Sequence, residues 1–218
     1  MSSPSSTATT RRAGPSIRFI IASAAVLILL AAMAMSTKVV RIDSAAGPQS
    51  GGFSEEEFGA SEFPKVQSAI EKRAVSAVTL ASAIAKNQDA AVQQYGVAAG
   101  TGPEFPVKFT GIAGKADLGT YAITINGLPK AVVVSVQTGP AILGTDLRDA
   151  TGTINFGQFK NQIEYQNAGS ALNKEMKKEI LSKLDTAHLT GKTISVIGAF
   201  QLTDPSSWVV TPVKLDVQ

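Results

Sequence analysis

The 218-residue chain contains no cysteine, which excludes disulfides, thiolate metal sites and cysteine nucleophiles. The absence does not identify a compartment, because many proteins of oxidising compartments also lack cysteine. Histidine is almost as scarce. His188, in LDTAHLTGK, is the single one, and a lone histidine ahead of a strand reads as a surface or capping residue. With no second histidine, a His-rich transition-metal site is excluded as well. Neither G-x-S-x-G nor S-x-x-K occurs. The glycine-containing stretch 96-GVAAGTG-102 follows a helical pattern and carries no Lys-Ser/Thr, so it reads as a flexible connector and not as a phosphate loop. These patterns lead us to expect no catalytic residue, no metal and no cofactor.

A basic domain face is also missing, although the pI of about 9.1 suggests one. Arg11, Arg12, Arg18, Lys38 and Arg41 supply five of the 20 basic residues, and no acidic residue precedes Asp43. From Ile42 onward 15 basic and 17 acidic residues remain, a net charge of −2. Such a domain forgoes the counterion-release term that dominates affinity for nucleic acid, so no nucleic-acid partner is expected. The composition, 44% hydrophobic and 17% charged, is that of a folded protein, and the length suits one domain plus an anchor.

Residues 1–16 are Ser/Thr/Pro-rich with an arginine pair and read as a disordered cytoplasmic tail. Phe19 to Met35 is a run of 17 uncharged residues, which makes roughly 26 Å of helix against a hydrocarbon core of about 30 Å. Residues 17–37 therefore read as a transmembrane anchor, with a cleaved signal ending near Ala32-Met33-Ala34 as the alternative. The arginines lie on the N-terminal side, which favours a single-pass protein of a bacterial cell membrane with its C-terminal domain outside the cytoplasm. Residues 38–52 form a Gly/Ser/Ala/Pro linker. Residues 53–104 read as a helical segment. It opens on a capping box at Ser54-Glu55-Glu56-Glu57, is broken and restarted by Pro64, and ends in a short helix from Asn87 to Tyr95-Gly96.

From Phe105 the period becomes two. Val107–Ile112, Thr120–Ile125 and Ala131–Gln137 read as strands, with an Asn126-Gly127 turn between the last two. A helix follows on Ala168, Leu172, Met176, Ile180 and Leu184. Strands at Thr193–Phe200 and Trp208–Val217 close the chain, and Pro212 marks an edge or a bulge. The expected fold class is α+β: a transmembrane helix, a helical segment, then an OB-like five-stranded barrel over 105–218 with a helix between strands 3 and 4.

The stretch from Gly139 to Asn167 mixes polar and apolar residues unlike ordinary surface. Asp146, Arg148 and Asp149 flank Leu147, and Asn161, Gln162, Glu164 and Tyr165 alternate with Phe159 and Ile163. These seven residues form the candidate binding site, offering amide, carboxylate and aromatic groups that suit a sugar or a peptide. A second reading makes Arg148 the buried partner of Asp146 or Asp149, pinning the crossover into the helix. A third makes Asp146 and Asp149 the carboxylate pair of a carbohydrate-active hydrolase. Against the third, Arg148 between them is expected to lower both pKa values and leave no proton donor. Phe156 and Phe159 read as core. A purely structural envelope protein is the remaining alternative.

The same residues carry a likeness. The chain resembles the predicted periplasmic lipoproteins of domain-of-unknown-function family 2291. The likeness begins at Lys38-Val39-Val40-Arg41-Ile42 and includes Tyr95-Gly96. It is densest over G-T-D-L-R-D-A and F-x-x-F-x-N-Q-I-E-Y, and runs through Gly198-Ala199-Phe200 to Thr211-Pro212-Val213-Lys214-Leu215. Members of that family place a lipidated cysteine just before K-V-V, where this sequence has Thr37, so the anchor is expected to be the helix itself. The resemblance implies an accessory role near a sugar ABC transporter or its binding protein.

Overall fold

The computed structural model describes residues 53–100 and 102–218, together with Val26. The expected tail, membrane segment and linker lie outside the described residues, Val26 excepted. Among the described residues no helix is long and apolar enough to cross a membrane.

Helix α1 (Glu55–Arg73) starts where the capping pattern places it. Ser54 accepts the Glu57 N–H at 3.4 Å, three glutamates fill the first turn, and Lys72 and Arg73 fill the last. Pro64 does not break it, contrary to expectation. Pro64 and Ala60, whose carbonyl loses its partner, both face solvent, so water can replace the missing bond. The opposite face buries Phe63, Val66 and Ile70. A short strand β1 (Val75–Ser76) leads into α2 (Ala77–Lys86) and α3 (Gln88–Tyr95). Asn87 caps α3 by accepting the Ala90 N–H at 3.0 Å. The expected flexible connector instead contains strand β2 (Val97–Ala99), which pairs antiparallel with Gly102–Glu104.

Five strands close the barrel: β3 (Gly102–Asp117), β4 (Thr120–Ile125), β5 (Val133–Gln137), β6 (Thr193–Gln201) and β7 (Ser207–Val217). Their order is β3-β4-β5-β7-β6, and β6 pairs back onto β3 from Glu104↔Gln201 to Ile112↔Thr193. All pairings in the ring are antiparallel except β5–β7. This is the five-stranded OB-like barrel expected, with its helix α5 (Gln162–Glu179) between the third and fourth barrel strands. A one-turn helix, α4 (Asp146–Asp149), precedes α5. Pro212 sits at a register shift opposite Gly198, so the bulge alternative is the one realised. Gly198 is needed there: a Cβ would lie 2.4 Å from the Thr211 carbonyl oxygen.

The barrel interior is built around Trp208, Phe200 and Phe105, stacked at centroid separations of 4.7 Å and 5.8 Å. Helices α1 and α5 pack on each other, and α1 also packs on β3, β6 and β7. Gly59 allows a close approach, since a Cβ would meet the Ala171 carbonyl oxygen at 2.8 Å. Strand β3 is buried on both faces from Glu104 to Val107 and alternates beyond. That doubly covered stretch positions the polar centre described next.

Candidate functional site

Helix α4 holds the sequence G-T-D-L-R-D-A in a single turn. Leu147 enters the core, while Arg148 and Asp149 are buried beside it. Arg148 grips Asp149 with two parallel bonds, Nε to Oδ1 at 2.8 Å and Nη2 to Oδ2 at 2.9 Å. Its third nitrogen, Nη1, donates to the Tyr165 carbonyl at 3.0 Å, and the guanidinium lies 3.7 Å from the centroid of the Tyr165 ring. Thr145 donates to Asp149 Oδ2 at 2.6 Å. The partner of Arg148 is thus Asp149 and not Asp146. The planar fork is matched on every side, the arrangement in which a buried guanidinium is tolerated.

Asp146 points elsewhere. It accepts from the Thr211 hydroxyl at 2.6 Å, and that hydroxyl accepts from Gln137 Nε2 at 2.9 Å. Gln137 also clamps Leu143, donating to its carbonyl at 3.0 Å and accepting its N–H at 2.8 Å. The chain from β5 to α4 is therefore tied to β7 through one amide and one hydroxyl. Burial pushes the Asp146 carboxyl up to about 6 against the pull of the Thr211 hydrogen bond, with the Asp149 charge adding to the rise. The expectation that Arg148 would lower Asp146 is thus corrected. The guanidinium is committed to Asp149, so desolvation decides the sign.

Glu104 completes the centre, and the sequence reading missed it. It is 1% exposed, and one carboxyl oxygen accepts from Gln201 Nε2 at 3.3 Å. Its other oxygen, Oε2, is buried with no hydrogen-bond partner. Burial, reinforced by the negative charges of Asp146 and Asp149, pushes Glu104 up to about 9, so it is a neutral acid at physiological pH. A proton-bearing carboxyl therefore stands in the same centre as Asp146, where the sequence suggested no donor.

The remaining candidates are engaged in α5 itself. Asn161 caps the helix by accepting the Glu164 N–H at 2.9 Å, and Glu164 Oε2 accepts the Lys160 N–H at 2.9 Å. Gln162 is exposed in the first turn. Asn161 and Glu164 thus bind backbone, and Asn161→Ala should cost about 1 kcal/mol of stability, read as a lower urea midpoint at unchanged slope. Tyr165 joins the Arg148 centre to an aromatic series. Phe156 meets it edge-on at 5.7 Å and Phe159 at 5.4 Å, and Phe159 continues to Phe58 and Phe53 at 5.7 Å and 5.5 Å. Phe159 is partly buried, but Phe156 is half exposed, contrary to the core expectation. His188 is exposed, with Nδ1 2.9 Å from Asp185.

A family model described as predicted periplasmic lipoprotein, DUF2291, matches residues 25–216. The chain belongs to this family. As a DUF2291 protein it is extracytoplasmic and membrane-associated. No curated protein matches it. Among solved structures it is similar to an OB-fold protein from Thermotoga maritima, at 19% identity and a TM-score of 0.61. That match covers 77% of this DUF2291 chain and 99% of the other, and at this identity the likeness concerns the fold.

Proposed function

We propose that the protein is a non-enzymatic accessory or binding module of sugar uptake by an ABC-type importer, held at the bacterial cell membrane by a single span at residues 17–37. The observation that carries the non-enzymatic part is the closure of the polar centre. Arg148 makes two bonds to Asp149 and a third to Tyr165, so the guanidinium of this centre is committed within the protein. The span is supported by 17 uncharged residues with arginines before them and by the lack of any cysteine to lipidate. The sugar context rests on what the family resemblance implies. A second reading, a carbohydrate-active hydrolase, gains from the neutral Glu104 near the ionisable Asp146, as an acid and base would be paired. Against it, Glu104 is sealed from solvent.

Both readings meet in one experiment. Cells lacking the gene should take up labelled sugar more slowly, and plasmid copies of the wild type and of Asp146→Asn should restore uptake equally. Restoration by the wild type alone, with the variant stable and present at normal level, would favour the hydrolase. Protease added to intact spheroplasts should digest the domain after Ile42 and spare residues 1–18. Protection of the domain would overturn the topology.

A further inference from the structure

Between α1 and the segment 151–158 lies a cleft of about 510 Å³ that the polar centre does not use. Its floor is aliphatic, formed by Val66, Ala69 and Ile154, and its aromatic wall is Phe58. That ring is fixed by Phe53 at 5.1 Å and Phe159 at 5.7 Å. The remaining lining is polar: Glu62 and Lys65 on the helix, with Thr151, Thr153 and Gln158 across from them.

The far side is built to stay in place. The Thr151 and Thr153 hydroxyls are 2.8 Å apart in a hydrogen bond, Gln158 Nε2 donates to the Thr153 carbonyl at 3.1 Å, and Gln158 Oε1 accepts the Asn155 N–H at 3.2 Å. A wall fixed before the ligand arrives loses little entropy on binding. The near side is electrically balanced, with Lys65 Nζ 2.7 Å from Glu62 Oε1. The lining therefore offers no net charge. It does offer a carboxylate acceptor, an ammonium donor, an amide and two hydroxyls around an apolar surface.

We infer that this cleft binds a neutral mono- or disaccharide. Sugars present an apolar C–H face and a rim of hydroxyls, each both donor and acceptor, and this cleft pairs that face with Phe58 and that rim with the polar residues. Its volume falls in the usual range of about 300–1,000 Å³ for small-molecule sites. Charge separates it from the groove beside Pro140 and α5. There Lys174, Lys177 and Lys178 line the wall; Lys178 pairs with Glu175 at 2.9 Å, and the two remaining lysines leave an excess of positive charge that would favour anions. The inference rests on the sugar-uptake reading for its biological setting, but its site and ligand class stand on the cleft.

The test is calorimetric titration of the full-length protein in detergent. The probes are ribose, arabinose, glucose, galactose and maltose, with glucuronate and glucose 6-phosphate as the anionic arm. A neutral sugar should bind saturably, in preference to the anions. Ala69→Phe, which fills the cleft and deletes no hydrogen bond, and Glu62→Gln should each weaken binding about tenfold or more while the melting temperature stays near wild type. Should Ala69→Phe fail to fold, Glu62→Gln still decides. No saturable binding up to about 10 mM, a preference for the anions, or affinity indifferent to Glu62→Gln would each overturn the inference. An uptake defect in cells lacking the gene, with no sugar bound in vitro, would leave the accessory role standing and remove this site alone.

Discussion

Arg148→Ala should lower the melting temperature by roughly 6–20 °C. The substitution leaves Asp149, only 7% exposed, with the Thr145 hydroxyl as its one strong donor, since the Tyr165 hydroxyl stands at 3.4 Å. Breaking a buried pair from one side costs about 3–5 kcal/mol, and in a domain of this size each kcal/mol moves the midpoint by about 2–4 °C. The Tyr165 carbonyl and ring lose their cation in the same step. The control is the double variant Arg148→Met with Asp149→Leu. It removes both charges together and should recover most of the loss. Calorimetric scans of the two variants beside the wild type check this. A single variant that melts like the wild type would show that the pair contributes nothing and that Arg148 is free to contact a partner.

A second large effect is expected at Glu104, and its sign follows from the direction of the shift. The carboxyl is raised from 4.5 to about 9 in the folded chain, so over that window the native state holds a proton that the unfolded chain has released. Stability from this group is therefore full below about pH 4.5 and is lost as pH rises towards 9, at about 1.4 kcal/mol per pH unit. Asp146, raised from 3.8 to about 6, adds loss in the same direction over the lower part of the window. Glu104→Gln keeps the shape and removes the titration. Between pH 5 and 7.5 the wild type should lose about 3 kcal/mol more than the variant in urea unfolding. Parallel pH profiles for the two proteins would mean that Glu104 is ionised in place. In that case a cation or water must reach its Oε2.

Strands β4, β6 and β7 were legible because the barrel wall is half-buried: alternation located Thr120–Ile125 to the residue and both C-terminal strands to within one. Strand β3, expected over Val107–Ile112, runs from Gly102 to Asp117, and β5 starts at Val133 and not Ala131. Caps at Ser54 and Asn87 were equally local, each one side chain accepting one N–H. Glu104 was not legible. Its burial comes from helices covering the outer face of β3 at one end, and a strand's own period does not record what packs on its far side. The continuity of α1 through Pro64 escaped for a related reason, because solvent on one face and Phe63, Val66 and Ile70 on the other decide it. In the polar segment residue types suggested a site, and the pairing of Arg148 with Asp149 was among the readings. The capping roles of Asn161 and Glu164 were not, although N-x-x-E before an apolar run is a capping signature that could have revealed them.

The closure of the barrel has a consequence for when the chain can fold. Strand β3 completes the ring only by pairing with β6, Phe105 opposite Phe200, and β7 must then fill the gap between β5 and β6. The last barrel strand, β7, ends at Val217. A chain whose barrel emerges in sequence order thus exposes β3, β4 and β5 long before their partners. Those early strands form at most an open meander, and the non-local pairings that lock it carry the full loop-closure cost. The order of strands along the chain therefore acts as a timer, keeping the polypeptide unlocked until β6 and β7 have both emerged.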